Sequence, residues 1–212
     1  MKKIILILSL FFGAIGAWAQ IPAEVTDVMN HCRAAMNNAS GLEYEADMKA
    51  GIGPLAMKMH FVIANKGNLN RTCLNMKVLG EEVVVESGFD GTDTWEIKHS
   101  SKSDTIIFNH GNTRNKSKGD LDLDLDHKYN KAKMKLNDGY YEITFSDPKD
   151  KDNEVKRVTA KISAKNYTMR EIRTSARGAS VTMNVTKIHV GLKDSHFKPD
   201  LSKYPNAVII RK

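Results

Sequence analysis

Apolar and polar residues alternate along much of the chain after residue 40. Leu42, Tyr44, Ala46 and Met48 are separated by single charged residues, which places the four apolar side chains on one face of a strand. The same alternation recurs in residues 55–63, 74–78 and 95–97, and a short apolar run, Val83-Val84-Val85, gives a fourth further strand. Short turns rich in Gly, Asn and Asp separate these segments, so the pattern predicts an antiparallel meander of five strands.

Strand patterns return after a polar middle region. Four more strands are predicted, one of them short: residues 106–108, 140–145, 155–162 and 167–174. Residues 120–129 fit either a short helix through Leu121, Leu125 and Tyr129 or a strand through Leu121, Leu123 and Leu125. The pattern does not decide between these two structures.

The last thirty residues contain two strand patterns. In residues 181–190 the apolar positions change parity after Val185 and continue at Ile188, which predicts a β-bulge near Lys187. Residues 208–210 are predicted as a final strand that docks into the sheet.

Residues 21–39 carry the one long helical pattern of the sequence. Apolar residues recur there at steps of three and four: Ile21, Val25, Val28, Met29, Cys32, Ala35, Met36 and Ala39. The opposite face, with Glu24, Asp27, Asn30 and Arg33, is predicted to be exposed. With one long helix and roughly ten strands, the predicted class is mainly β, a large curved antiparallel sheet on which the helix packs.

The first nineteen residues have the pattern of a secretory signal peptide. Lys2 and Lys3 precede an apolar run, and Ala17-Trp18-Ala19 matches the small-residue cleavage site, so cleavage is expected between Ala19 and Gln20. An N-terminal membrane anchor is the alternative, although the run is short for a span. Cleavage leaves residues 20–212 as a single domain in the periplasm, soluble because no Cys is present at the cleavage site for a lipid anchor.

Composition limits the classes of function. The whole chain has a formal net charge of +7, and removal of Lys2 and Lys3 with the signal leaves +5. Acidic and basic residues are mixed along the chain, which argues weakly for an anionic partner and against nucleic-acid binding. Cys32 and Cys73 are compatible with one disulfide or with two free thiols.

Motifs for catalysis or metal binding are absent from the sequence. The acidic run from Asp120 to Asp126 lacks the Gly and Glu of a calcium loop, so a solvated segment is the simpler interpretation. The seven histidines show no metal-binding spacing, and Asp194-Ser195-His196 are adjacent in sequence rather than arranged as a triad. We therefore expect no enzyme, no metal and no cofactor.

Methionine is spread through the predicted helix and strands, and ten methionines occur in the chain. Each one is compatible with ordinary core packing, but methionine also adapts to varied apolar ligands. The predicted ligand-binding cavity comprises ten residues: Met29, Met36, Met57, Met59, Phe61, Leu74, Met76, Trp95, Met183 and Val185.

Several of these features together resemble the LolA type of periplasmic lipoprotein carrier. The resemblance rests on the signal without a lipid anchor, the early amphipathic helix, the Asp90-Gly91 turn before Trp95, and the ending through Asp194, Phe197 and Pro199. It implies an incomplete antiparallel barrel in which an N-terminal helix and one or two short helices cover a hydrophobic cavity for lipoprotein acyl chains.

The resemblance also implies a place in transport. A monomeric carrier of this type takes lipoproteins from an inner-membrane transporter and passes them to an outer-membrane receptor. The family's Lys/Arg-Pro after the second strand, whose arginine helps to hold the lid helices, is matched only by Asn65-Lys66-Gly67, and Arg71 is predicted on the face opposite Leu74. A periplasmic module that binds another lipid or a glycan is the alternative function, and an enzyme comes third.

Overall fold

The computed structural model describes residues 21–37, 40–52, 56–111, 123–176 and 178–212. The predicted signal peptide and its cleavage site lie outside these residues. Helix α1 (Ala23–Met36) follows Pro22 and confirms the predicted helix, although residues 38 and 39 at its predicted end are outside the described part. No helix in the described ranges is long and apolar enough to cross a membrane.

In the residues that the structure describes, twelve strands form a single sheet. Their bounds are β1 (Leu42–Gly51), β2 (Met57–Lys66), β3 (Leu69–Val78), β4 (Glu81–Phe89), β5 (Asp93–Ser100), β6 (Asp104–His110), β7 (Tyr129–Asn137), β8 (Tyr140–Pro148), β9 (Arg157–Ser163), β10 (Met169–Ala176), β11 (Ala179–Val190) and β12 (Val208–Arg211). A four-residue helix, α2 (Leu125–Lys128), precedes β7, and two 3₁₀ helices, Asp194–Phe197 and Leu201–Lys203, lie between β11 and β12.

The sheet is a meander folded back on itself. Its order is β12-β6-β5-β4-β3-β2-β1-β11-β10-β9-β8-β7, so that β1 and β11 join two consecutive runs of strands. Every pair is antiparallel except β12 with β6, which is parallel. The two ends of the order, β12 and β7, do not pair with each other in the described part of the chain. The mainly β, curved and unclosed sheet confirms the predicted fold class.

The predicted bulge is present where β1 meets β11. Glu45 pairs with Lys187 and Ala46 pairs with Val185, so Thr186 is the extra residue and interrupts the alternation next to Lys187. The extra residue returns Ile188 to the same side of the sheet as Val185, because Ile188 pairs with Tyr44 and Val185 pairs with Ala46. The change of parity in the sequence therefore has a structural cause.

One side of the sheet, called here the inner face, is the side covered by α1. Val25, Val28, Met29 and Cys32 of the helix are buried in a core with side chains from β7 to β10. Those sheet residues are almost fully buried: Tyr129, Ile143, Phe145, Val158, Ala160, Ile162 and Met169. A second cluster from β1, β2 and β11 continues this core, and Met36 packs against both clusters.

The other side, the outer face, is covered near β5 and β6 by the segment after β11. Trp95 and Phe108 lie in a buried cluster there, against which Tyr204 packs. Trp95 Nε1 donates a hydrogen bond of 2.9 Å to the carbonyl oxygen of Phe197, whose side chain is fully buried. Gly88 faces the Trp95 ring, since a Cβ there would lie 2.7 Å from Trp95 Cζ2. Trp95, which follows the Asp90-Gly91 turn, thus binds the C-terminal segment to the outer face.

The segment that the sequence pattern assigns either to a short helix or to a strand, residues 120–129, contains α2. Asp126 of this helix is buried and accepts two hydrogen bonds from the Arg33 guanidinium, of 2.7 and 3.0 Å. Arg33 also donates to the Leu123 carbonyl oxygen at 2.9 Å. Arg33 was predicted on an exposed face and Asp126 in a solvated segment. Both predictions are wrong, because the two side chains pair and tie α2 to α1. Residues 120–122 lie outside the described part.

The two cysteines are free thiols on opposite sides of the sheet. Cys32 belongs to the core under α1, while Cys73 pairs with Val62 and Glu86 on the outer face. Since the sheet lies between them, the disulfide alternative does not hold in this fold.

Candidate ligand-binding face

Apolar side chains continue across the inner face beyond the part that α1 covers. Met59 pairs with Met76 and Phe61 pairs with Leu74, and on the next strand Val85 lies beside Leu74. Because directly paired residues project from the same side of a sheet, these side chains form one continuous patch. We call Met57, Met59, Phe61, Leu74, Met76, Val83 and Val85 the open face.

The open face differs from the core in exposure. Ile63, one step along the same face of β2, is only 6% exposed, whereas Met57 is 45% exposed and the other members of the open face are half-buried. None of these seven residues belongs to a buried cluster within the described part of the chain. A contiguous apolar surface that is only half covered is characteristic of a binding surface.

A cavity of about 360 Å³ lies at the boundary between the covered and open parts of the inner face. It is lined by Arg33 and Met36 of α1, by Tyr44 and Asn65 of the sheet, and by Leu123. Its volume is within the range of about 300–1,000 Å³ that is usual for small-molecule sites. Because Arg33 also holds Asp126, the wall of this cavity is tied to the α1–α2 connection.

A larger groove of about 570 Å³ involves the same strands. Most of its lining residues, including His60 and Asn75, alternate to the outer face, where His60 Nδ1 lies 2.8 Å from Asp47 Oδ1 and Asn75 donates to Glu82 at 2.7 Å. Met59 and Met76 also border it. The larger groove is therefore lined mainly by residues of the outer face, and it shares Met59 and Met76 with the open face.

A charged strip borders the open face on the side of β5. Val85 pairs with Lys98 and Ser87 pairs with Glu96, so the inner-facing positions of β5 are polar. Lys98 Nζ lies 3.2 Å from Glu96 Oε1. The inner face thus passes from buried core through half-covered apolar surface to a charged margin, an arrangement suited to a ligand with an apolar chain and a polar head.

The structure divides the ten predicted site residues into three groups. Met57, Met59, Phe61, Leu74 and Met76 lie together on the open face. Met29, Met183 and Val185 are buried in the core clusters, and Met36 lines the 360 Å³ cavity.

Trp95 lies on the outer face, where it pairs with Gly88 and Phe108 and is 2% exposed. The sequence shows Trp95 and Ile97 as the apolar side of β5, but only the position of Phe197 and Tyr204 shows that this side faces outward. We therefore leave Trp95 out of the proposed site.

The Asp194-Ser195-His196 run and Arg71 make structural contacts. Asp194 accepts a hydrogen bond of 2.8 Å from Lys66 Nζ, and His196 Nε2 lies 2.6 Å from Glu43 Oε2, so the two side chains face different partners. Arg71 pairs with Glu86 at 2.7 Å on the outer face, as its position opposite Leu74 predicts. The arginine that holds helices together is instead Arg33, which sequence periodicity placed on the exposed side.

Comparison with known proteins gives similarity in fold. No family model matches the chain, and no curated protein matches its sequence. A conserved uncharacterised protein from Thermus thermophilus shares 9% identity over 89% of this chain and 99% of its own, with a TM-score of 0.48.

A LolA superfamily protein is also among the matching structures. This protein, from Nitrosomonas europaea, shares 8% identity over 82% of this chain and 97% of its own, with a TM-score of 0.34. A domain from Vibrio parahaemolyticus named for outer-membrane lipoprotein sorting shares 13% identity over 81% and 95%, with a TM-score of 0.37. The solved structures that match this chain thus include the family that its sequence resembles.

Proposed function

We propose that the chain is a periplasmic carrier that binds the acyl chains of lipoproteins on its open face and moves them from the inner to the outer membrane. The observation that supports this proposal is the half-exposed apolar surface of β2, β3 and β4 beside a fully buried core. The N-terminal pattern of a signal peptide supports export to the periplasm.

The affinity comes from burial of apolar surface rather than from covalent chemistry. Each methylene group transferred from water contributes about 0.8 kcal/mol, so about ten of them contribute about 8 kcal/mol before the entropy cost of ordering the chain. Without that cost, an energy of this size would correspond to a dissociation constant of about 1 µM, so the net affinity is weaker than this value. Such binding is strong enough for transport and weak enough for release to a competing receptor.

Methionine at the open face suits a ligand of variable shape. Met57, Met59 and Met76 are unbranched and polarizable, so they adjust to acyl chains of different length and saturation. The charged strip with Glu96 and Lys98 provides a margin for the polar end of the ligand. Release at the outer membrane then requires a receptor whose apolar surface binds the same chains.

A matched pair of variants tests the open face. Leu74→Asp places a carboxylate on the open face, while Asn75→Asp places one at the neighbouring position on the outer face of the same strand. We expect Leu74→Asp to lower the affinity for a fluorescent fatty acid at least tenfold, because ligand binding would bury the charge. Asn75→Asp should bind as the unchanged chain does. Equal binding by the two variants, with folding verified by circular dichroism, contradicts the assignment.

A second measurement separates lipoprotein carriage from binding of other lipids. The full chain is mixed with a triacylated lipoprotein or with the same protein lacking its acyl chains, and complexes are measured by native mass spectrometry. A carrier retains only the acylated form. Uptake of free fatty acid without retention of the lipoprotein favours the alternative of a module for another lipid.

A further inference from the structure

The register of β1 and β11 brings three possible metal ligands together on the outer face. Glu43 is directly opposite His189, and Glu45 follows Glu43 on the same side of β1. One ligand atom from each of the three lies within 4.8 Å of the other two. In the described ranges, this is the one group of three or more His, Cys, Asp or Glu side chains that converge in this way.

We propose that Glu43, Glu45 and His189 form a binding site for a divalent transition-metal cation such as Zn²⁺. Imidazole nitrogen with carboxylate oxygen is a donor set that Zn²⁺ accepts, and three protein ligands leave a fourth position for water. The site is separate from the open face, which lies on the other side of the sheet.

The distance between His189 and Glu45 suits metal binding. His189 Nε2 lies 3.7 Å from Glu45 Oε1. Two ligands at about 2.1 Å from a tetrahedral Zn²⁺ are about 3.4 Å apart, so this pair closes on a cation through a small side-chain rotation. The His189 side chain is 52% exposed, which gives a cation access from solvent.

The two oxygens of Glu45 have different partners. Lys187 Nζ lies 3.0 Å from Oε2, whereas Oε1 faces His189. Lys187 thus leaves one oxygen for the cation but reduces its affinity through repulsion of like charges.

Glu43 is oriented by His196 of the C-terminal segment. Its side chain is 12% exposed, and its Oε2 lies 2.6 Å from Nε2 of His196 in the 3₁₀ helix Asp194–Phe197. Ligating carboxylates are commonly oriented by such a hydrogen bond from an outer residue. A cation bound here would therefore also connect the C-terminal segment to the joint between β1 and β11.

The proposal is tested by isothermal titration calorimetry of Zn²⁺ into the tag-free full chain. We expect saturable binding of one Zn²⁺ per chain, reduced at least tenfold in Glu45→Gln and in His189→Asn. The matched control is His110→Asn, because His110 pairs with Asp93 at 2.7 Å and no third ligand converges on this pair among the described residues. This control should bind Zn²⁺ as the unchanged chain does.

A gain of affinity provides the second test. Lys187 is exposed, so Lys187→Gln should fold normally and bind Zn²⁺ more tightly once the competing ammonium is removed. Zn²⁺ should also raise the thermal midpoint of the unchanged chain but not that of His189→Asn. Absence of saturable binding, an equal loss in His110→Asn, or unchanged affinity in Lys187→Gln would overturn the proposal.

Discussion

Cys32 lies on the buried side of α1 with no exposed surface, while Cys73 lies half-buried on the outer face. Burial raises the pKa of the Cys32 thiol from 9.0 to about 12. Burial and the nearby Glu86 also raise the pKa of Cys73. Since the thiolate is the reactive form, both cysteines are poor nucleophiles at neutral pH, and their contribution is to packing.

The raised pKa of Cys32 makes folding stability depend on pH in the alkaline range. The folded state keeps the proton to about pH 12, whereas the unfolded state loses it above pH 9.0, so stability from this group is complete below pH 9.0 and declines as the pH rises toward 12. At pH 10 the loss is about 1.4 kcal/mol.

Chemical denaturation at pH 8 and pH 10 measures this effect. Cys32→Ala, although less stable at both pH values because of the cavity, should lose less between them than the unchanged chain. Cys73→Ala should also lose less than the unchanged chain, because the pKa of Cys73 is raised as well. Identical pH dependence in the unchanged chain and in Cys32→Ala would show that Cys32 does not ionise on unfolding as described.

At the level of elements, α1 is attached to the sheet by packing and to α2 by charge. The Asp126 side chain is 1% exposed, and the Arg33 guanidinium contacts both of its oxygens. The hydrogen bond with Asp126 raises the pKa of Arg33. Removal of Arg33 would leave the buried Asp126 carboxylate without its partner, whereas removal of Asp126 leaves a partly exposed Arg33 that still donates to the Leu123 carbonyl oxygen.

We expect Asp126→Ala to lower the free energy of unfolding by about 2 kcal/mol, because two charge-assisted hydrogen bonds with a partly exposed Arg33 are lost. Urea denaturation followed by circular dichroism measures the change. Asp27→Ala is the matched control on α1, because Asp27 is 70% exposed and pairs with the exposed His31, so its loss should leave the unfolding midpoint nearly unchanged. Equal midpoints for the two variants would mean that Arg33 and Asp126 do not anchor α2.

Periodicity was sufficient to predict which residues share a strand face, but not which element covers that face. Met59, Phe61, Leu74 and Met76 were placed on one side because a strand alternates with a period of two, and the pairing of β2 with β3 confirms this. Trp95 follows the same rule on β5, yet its apolar side faces outward because Phe197 and Tyr204 pack there. Contacts between residues a hundred positions apart leave no period in the sequence.

The pattern of apolar residues does not predict the edge strand β7, for a related reason. Its alternation is between apolar residues and lysines, with Ala132 and Met134 on one side and Lys131, Lys133 and Lys135 on the other. Lysine-rich strands are depleted in the residues that favour a sheet, but they are common at edges, where charge opposes pairing with another chain. The metal-ligand group is also invisible in the sequence, since Glu43 and His189 meet only through the register of β1 and β11.

At the level of the whole molecule, two elements cover the sheet, α1 and the C-terminal segment. They lie on opposite faces and at opposite ends of the strand order. Helix α1 covers the inner face of β7 to β10, and the C-terminal segment covers the outer face near β5 and β6. The open face lies between them on the inner side. The same chain therefore combines a stable core at each end with an apolar surface that is left accessible.

The C-terminal segment contributes in two separable ways. Tyr204 packs on the outer-face cluster of Trp95 and the Phe197 carbonyl oxygen accepts the Trp95 indole N–H, while β12 pairs in parallel with β6 and covers its edge. A chain that ends at Ala207 loses only β12, and a chain that ends at Lys193 loses both contributions. The first truncation exposes the hydrogen-bonding groups of β6, and the second also leaves the Trp95 indole N–H without its acceptor.

We therefore expect graded effects from the two truncations. The chain ending at Ala207 should fold with a lower unfolding midpoint and should associate through the free edge of β6, which light scattering detects as dimers. The chain ending at Lys193 should lose several kcal/mol more, because a buried aromatic cluster and a buried hydrogen bond are lost together, each worth about 1–3 kcal/mol. If the two truncated chains had equal stability, the outer-face cluster would not depend on Phe197 and Tyr204, and the parallel pairing of β12 alone would complete the fold.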